Sequence, residues 1–155
     1  MRKPMLALAV VTIAGLAAAQ GTTPSKHVMT TAAALTWGDP PPIFEKGAQF
    51  TVVSGDPGQA GLYVVRLKMP AGYMVPAHHH PTDEYVTTIS GDFSLGMGDK
   101  LDSAKGTALA PGGFAMAPAN MNHYAWTKDG AVVQVSAQGP FALIYANPAD
   151  DPTKK

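Results

Sequence analysis

The chain has 155 residues, 46% of them apolar and only 14% charged, which suits one domain with a real core and excludes a disordered chain. Lys plus Arg and Asp plus Glu number 11 each, so there is no electrostatic footprint for nucleic acid. Cysteine is absent, which rules out disulfides, thiolate metal ligands and a cysteine nucleophile.

In chain order, the first segment reads as a targeting signal. Arg2 and Lys3 are basic, and Met5–Ala19 is an uncharged, mainly apolar run too short for an ordinary membrane span. Ala17, Ala18 and Ala19 fit a small-residue cleavage site, with a mature start near Gln20. The expectation is a signal peptide at residues 1–19, export to a bacterial periplasm, and no stable membrane insertion after cleavage.

Residues 20–48 read as an N-terminal arm. Gly21–Met29 is polar, and Thr30–Trp37 suits a short helix or an extended segment. His27 is expected to be an exposed or capping side chain. Gly38-Asp39 followed by Pro40, Pro41 and Pro42 predicts a turn and then a stiff polyproline-like piece. Such an arm covers a sheet edge or reaches a partner subunit.

From Gln49 onward, strand follows strand, with 16 glycines and 14 prolines in the chain to punctuate them. Gln49–Val53 is a strand, and residues 54–58 are a turn. In Leu62–Met69, Tyr63, Val65, Leu67 and Met69 fall on one face, with Arg66 and Lys68 on the other. Val86–Ile89 and Phe93–Met97 read as strands joined at Ser90-Gly91-Asp92. Residues 99–105 are a polar loop. Leu109, Phe114–Ala117, His123–Thr127, Ala131–Ala137 and Phe141–Tyr145 complete the strands, with Lys128-Asp129-Gly130 as a hairpin turn. Residues 147–155 are a polar tail. About ten short strands with turns between them predict an all-β sandwich or barrel over residues 49–146.

The chemistry concentrates between Gly72 and Gly91. His78 and His80 are two apart, so on a strand both imidazoles project from one face while His79 points away. Pro81 and Asp83 mark a turn, and a hairpin there brings the Glu84 carboxylate back beside the imidazoles. Two neutral nitrogens and a carboxylate suit Mn, Fe, Ni or Zn. A further donor is His123, which follows a turn at Pro118 and Asn120 and opens the next strand.

These spacings resemble the two motifs of the cupin superfamily. Gly72, His78, His80, Glu84 and Gly91 match the first without a gap. Gly112, Pro118 and His123 match the second, with Asn120 in place of a glycine and Thr127 in place of the terminal asparagine. Asn is a mild departure, because it accepts positive φ better than most residues. The resemblance implies an antiparallel jelly-roll barrel (a double-stranded β-helix). It places the two motifs on facing hairpins, and His78, His80, Glu84 and His123 as ligands of one divalent metal ion. It also makes a homodimer plausible, because pairing would bury open sheet edges.

Four protein ligands on a six-coordinate ion leave two positions for water, a small-molecule substrate or dioxygen. Thr88, Ser90 and Asn122 are candidates to orient the ligand histidines. Strand parity puts Met74 and Pro76 on the His78 face, and Val86 and Thr88 on the Glu84 face. Tyr63, Val65, Leu67, Met69, Phe141, Leu143 and Tyr145 are expected to furnish an apolar interior, and Tyr85 and Tyr124 to point away from the ligands. The expected function is an exported metal-dependent enzyme, with dioxygenase-like oxidation of a small organic molecule as the leading reaction. Isomerase, lyase or hydrolase chemistry on the same site is one alternative, and a non-catalytic periplasmic binding or sensing protein is the other.

Overall fold

The computed structural model describes residues 27–155. The expected signal peptide at 1–19 and the first residues of the arm lie outside the described residues. Among the described residues no helix is long and apolar enough to cross a membrane.

Eight antiparallel strands run β1 (Gln49–Ser54), β2 (Gly61–Met69), β3 (Met74–His79), β4 (Glu84–Met97), β5 (Thr107–Leu109), β6 (Phe114–Ala117), β7 (His123–Gly139) and β8 (Ile144–Tyr145). The architecture is a jelly roll, as expected. The alternation read in β2 is present: Tyr63, Val65, Leu67 and Met69 are buried, while Lys68 is exposed. Arg66 Nε donates to Gln134 Oε1 across the outer face (3.1 Å).

Two strands are longer than their sequence suggests. Ser90-Gly91-Asp92 does not end a strand, and Lys128-Asp129-Gly130 is not a hairpin turn. Instead β4 and β7 pair along their whole lengths, and the ladder shifts register opposite these residues, between Thr88 and Ser90 and between Gly91 and Phe93. The bulges bend both strands from one layer into the other. One layer therefore contains β1, β2, the C-terminal part of β7, the N-terminal part of β4, and β6. The facing layer contains β8, β3, the N-terminal part of β7, the C-terminal part of β4, and β5.

The bend is fastened by side chains. Asp92 Oδ1 accepts from the Thr127 hydroxyl (2.6 Å) and from the Asp129 N–H (3.0 Å), and Oδ2 accepts from the Lys128 N–H (2.9 Å). The Thr127 oxygen in turn accepts from the Gly130 N–H. Thr127, in the place of the motif's asparagine, is thus a buried tie at the corner.

The core lies between the layers and is built from residues such as Leu67, Val75, Val86, Phe93 and Val133. Each such side chain contributes roughly 1.5–3 kcal/mol by leaving water. The arm combines both expected forms: a single 3₁₀ turn at Ala32–Ala34 within an otherwise extended segment. Gly38 pairs with Phe50 on the outer edge of β1 through two backbone hydrogen bonds. Beyond the prolines the arm is anchored by Tyr145, whose hydroxyl donates to the Ile43 carbonyl, and by Tyr73, which donates to Glu45. The tail is polar but ordered, with 3₁₀ turns at Pro148–Asp150 and Pro152–Lys154, and Lys155 Nζ meets Glu45 Oε1 at 2.6 Å. The segment expected as a strand over Phe141–Tyr145 is a strand only at Ile144–Tyr145.

Candidate metal centre

The two motif segments are not hairpins. β3 pairs with β7 and β8, not with β4, and β6 pairs with β4, not with β7. Residues 80–83 and 118–122 therefore each cross from one layer to the other. Crossing brings His78 and His123, register partners in one layer, opposite Glu84 in the other. His80 sits just past the end of β3. The crossovers also hold each other. The Asn120 N–H donates to the His80 carbonyl, and the Ala119 N–H donates to Asp83 Oδ1, both at 2.8 Å. Asn120 has φ 59°, the left-handed value that a glycine would adopt there.

His78, His80 and His123 are 4%, 7% and 2% exposed. One ring nitrogen from each lies within 4.8 Å of the others. The Glu84 carboxylate reaches the same point, with Oε1 3.5 Å from His80 Nε2 and Oε2 3.2 Å from His123 Nε2. All four side chains line one cavity. His79 faces away, as parity requires, and its Nδ1 meets Asn122 Oδ1 at 2.8 Å.

The ring orientations come from the backbone, not from Thr88, Ser90 or Asn122. His78 Nδ1 meets the Pro76 carbonyl (2.7 Å), His80 Nδ1 the Ala142 carbonyl (2.6 Å), and His123 Nδ1 the Met121 carbonyl (3.1 Å). An Nδ1–H donated to a carbonyl leaves Nε2 as a lone-pair donor aimed at the cluster. The Nε2 atoms of His80 and His123 are buried and make no hydrogen bond. Glu84 lies close to both, without the alignment of a hydrogen bond. Buried nitrogens without partners are rare, and here they converge on one point. The donor set fits a divalent ion of the Mn, Fe, Ni or Zn kind.

Charge follows the same geometry. Burial, then the neighbouring His123 and His80, hold His78 down to about 3, so it is neutral at ordinary pH. Burial pushes the Glu84 carboxyl up, but His123, His80 and His78 outweigh it and bring it to about 2. Burial lowers His123, but the Glu84 carboxylate outweighs it and the net shift is upward. A neutral His78 imidazole beside an ionised Glu84 carboxylate is in the protonation state that metal binding needs.

The cavity measures about 290 Å³. Its wall is apolar except at the cluster and at Tyr63, and it holds no Lys, Arg or Asp. Val65, Leu67, Met69, Val86, Phe141 and Leu143 line it, whereas Tyr145 is buried outside it. Met74 and Pro76 do not line it: the register shift between Val75 and His78 turns Val75 inward instead, leaving Met74 54% exposed. Thr88 is buried but does not reach the cavity either. Phe44 from the arm stacks on Phe141 at the wall (ring centroids 6.0 Å apart). Tyr85 points outward, and Tyr124 packs on the far side of β7 against Trp126.

One polar group at the cavity has no sequence signal beyond core alternation. The Tyr63 hydroxyl has no hydrogen-bond partner among the described residues, whereas those of Tyr73, Tyr124 and Tyr145 each donate to a backbone carbonyl. Burial, then the Glu84 carboxylate, push the Tyr63 hydroxyl up to about 12, so it remains a donor.

Solved structures share this fold. The polyketide cyclase RemF from Streptomyces resistomycificus superposes with a TM-score of 0.69 at 14% identity, covering 83% of this chain and 92% of that one. An RmlC-like cupin from Ralstonia eutropha gives 0.62 at 18% identity, covering 82% and 76%. The DMSP lyase DddQ from Ruegeria pomeroyi gives 0.57 at 21% identity, covering 80% and 72%. No curated protein matches the chain. A family model described as a domain of unknown function, DUF4437, matches residues 17–144. The chain has the fold of the RmlC-like cupins and belongs to the DUF4437 family.

Proposed function

We propose that the protein binds one divalent metal ion through His78, His80, Glu84 and His123 and is a metal-dependent enzyme acting on a small, mostly apolar organic molecule. The observation that carries this reading is the convergence of three imidazoles and a carboxylate on the wall of an otherwise apolar cavity. A purely structural barrel has no use for buried nitrogens without partners. When bound, such an ion supplies Lewis acidity and, if it is iron or manganese, redox chemistry toward dioxygen. The chain itself supplies orientation and an apolar surround. The Pro76, Ala142 and Met121 carbonyls fix the rings, and Phe44 stacks on Phe141 in the cavity wall.

Dioxygenase-like oxidation is the leading reaction, and a wall that is apolar beyond the histidine–carboxylate cluster and has no Lys or Arg favours a small organic molecule over phosphorylated or polyanionic substrates. Lyase or cyclase chemistry is the second reading, favoured by the DMSP lyase and the polyketide cyclase that share this fold. Oxygen uptake by the iron- and manganese-loaded protein across small phenols and organic acids separates the two. Substrate-dependent uptake supports the dioxygenase reading. Product formation without uptake supports the second, and tight binding without turnover shows a binding protein instead. We propose in addition that residues 1–19 direct export to the periplasm, a reading supported by the basic, apolar and small-residue order of that segment.

A further inference from the structure

Tyr63 stands apart from the other buried tyrosines. It is 4% exposed and its ring lines the cavity, so its hydroxyl is not a sealed core atom, and it makes no hydrogen bond to another described residue. A buried tyrosine hydroxyl ordinarily finds a partner, as those of Tyr73, Tyr124 and Tyr145 do here. Its position is set by the sheet. Tyr63 on β2 and Glu84 on β4 are both register partners of Ala137 on β7, so all three occupy one row of the layer. Paired residues share a face, which places Tyr63 on the same cavity face as Glu84, two strand spacings (about 10 Å of backbone) away.

We infer that the Tyr63 hydroxyl is a hydrogen-bond donor to the molecule bound in the cavity, and that this molecule is neutral, mostly apolar, and carries an oxygen acceptor such as a ketone or ether. The acceptor follows from the unpartnered donor, and neutrality at the Tyr63 end from a wall that, away from the metal cluster, has no Lys or Arg to meet an anion. The apolar remainder follows from the aromatic and aliphatic lining. The inference deepens the proposed function by naming the ligand class of the same cavity, and it rests on that cavity being the binding site.

The test uses two matched probes, acetophenone and ethylbenzene, which share an aromatic ring and differ in the carbonyl oxygen. Binding to the metal-loaded full-length protein is followed by NMR titration for wild type, Tyr63→Phe and Tyr124→Phe. The expected result is that Tyr63→Phe weakens acetophenone roughly three- to tenfold, the worth of one neutral hydrogen bond, and leaves ethylbenzene unchanged. Tyr124→Phe, whose hydroxyl lies outside the cavity and bonds to the Asp102 carbonyl, should leave both probes unchanged. Equal binding of acetophenone to wild type and Tyr63→Phe overturns the inference, as does an equal loss in Tyr124→Phe. Failure of both probes to bind wild type overturns the ligand class. Repeating the titration on metal-stripped protein keeps the two claims apart. A Tyr63 effect that persists while every substrate assay is silent removes the enzyme reading and leaves this one standing.

Discussion

The backbone N–H of Asn120 donates to the carbonyl of His80 over 2.8 Å, and it does so from a left-handed conformation with φ 59°. Together with the Ala119 N–H bond to Asp83 Oδ1, this bond ties the crossover that begins at His80 to the crossover that delivers His123. Asn120 is the only described non-glycine residue with positive φ. Asn120→Gly should therefore leave the thermal midpoint and metal affinity near those of wild type. Asn120→Val, whose branched side chain is disfavoured at that φ, should cost roughly 1–3 kcal/mol and weaken metal binding. Thermal unfolding of both variants with and without metal checks this, and equal behaviour of the two would count against it.

Gly91 should resist any side chain. Its φ is 84°, and a Cβ there would lie 2.0 Å from the Gly130 carbonyl oxygen on the adjoining stretch of β7. The obstacle is the backbone of Gly130 and Ala131, so it cannot rotate away. Gly91→Ala is expected to lose more than about 1 kcal/mol in urea unfolding. A midpoint within error of wild type would mean that the two bent strands are less closely fastened than described.

Acid should destabilise the metal-free protein. His78 is held down to about 3 by burial and then by His123 and His80. An unfolded histidine titrates near about 6.5, so between these values the unfolded chain takes up a proton that the folded chain refuses. Stability present above that upper value is lost as pH falls toward the lower one. Glu84, brought to about 2 by its imidazole neighbours against the pull of burial, adds a loss of the same sign below the ordinary carboxylate range of about 4.3. His123 is raised by Glu84, so its contribution is fully present below its ordinary value and fades only as pH rises. Urea midpoints of metal-stripped protein should thus fall steadily from neutral pH into acid, and a flat profile would contradict the charge assignment.

Export predicts a processed chain. Protein recovered from the periplasm of a bacterial host should begin near Gln20, as read by N-terminal sequencing, with Arg2 and Lys3 gone. A mature protein that begins at Met1 and stays in the cytoplasm would defeat the targeting reading.

The histidine cluster was legible because it rests on local rules. A two-residue spacing on a strand puts His78 and His80 on one face, and Asn120 could be read as a tolerable stand-in for glycine at positive φ. The corners were not legible. Ser90-Gly91-Asp92 and Lys128-Asp129-Gly130 carry turn chemistry, but they meet each other across β4 and β7 as bulges. A local signal cannot tell a hairpin from a bulge whose partner is far away in the chain. The orientation of the rings was hidden for a different reason: it comes from the carbonyls of Pro76, Met121 and Ala142, and every residue has a carbonyl. The bulge after Val75 reversed the parity expected for Met74 and Pro76. Tyr63 read as core because alternation reports burial, not whether a hydroxyl has found a partner.

The central claim is that His78, His80, Glu84 and His123 hold a metal ion. Elemental analysis of protein purified from its own compartment, beside a His80→Ala/His123→Ala double variant that remains folded by circular dichroism, tests it most directly. The account predicts about one divalent ion per wild-type chain and less than about a tenth of that in the variant. A folded double variant that keeps stoichiometric metal would contradict it.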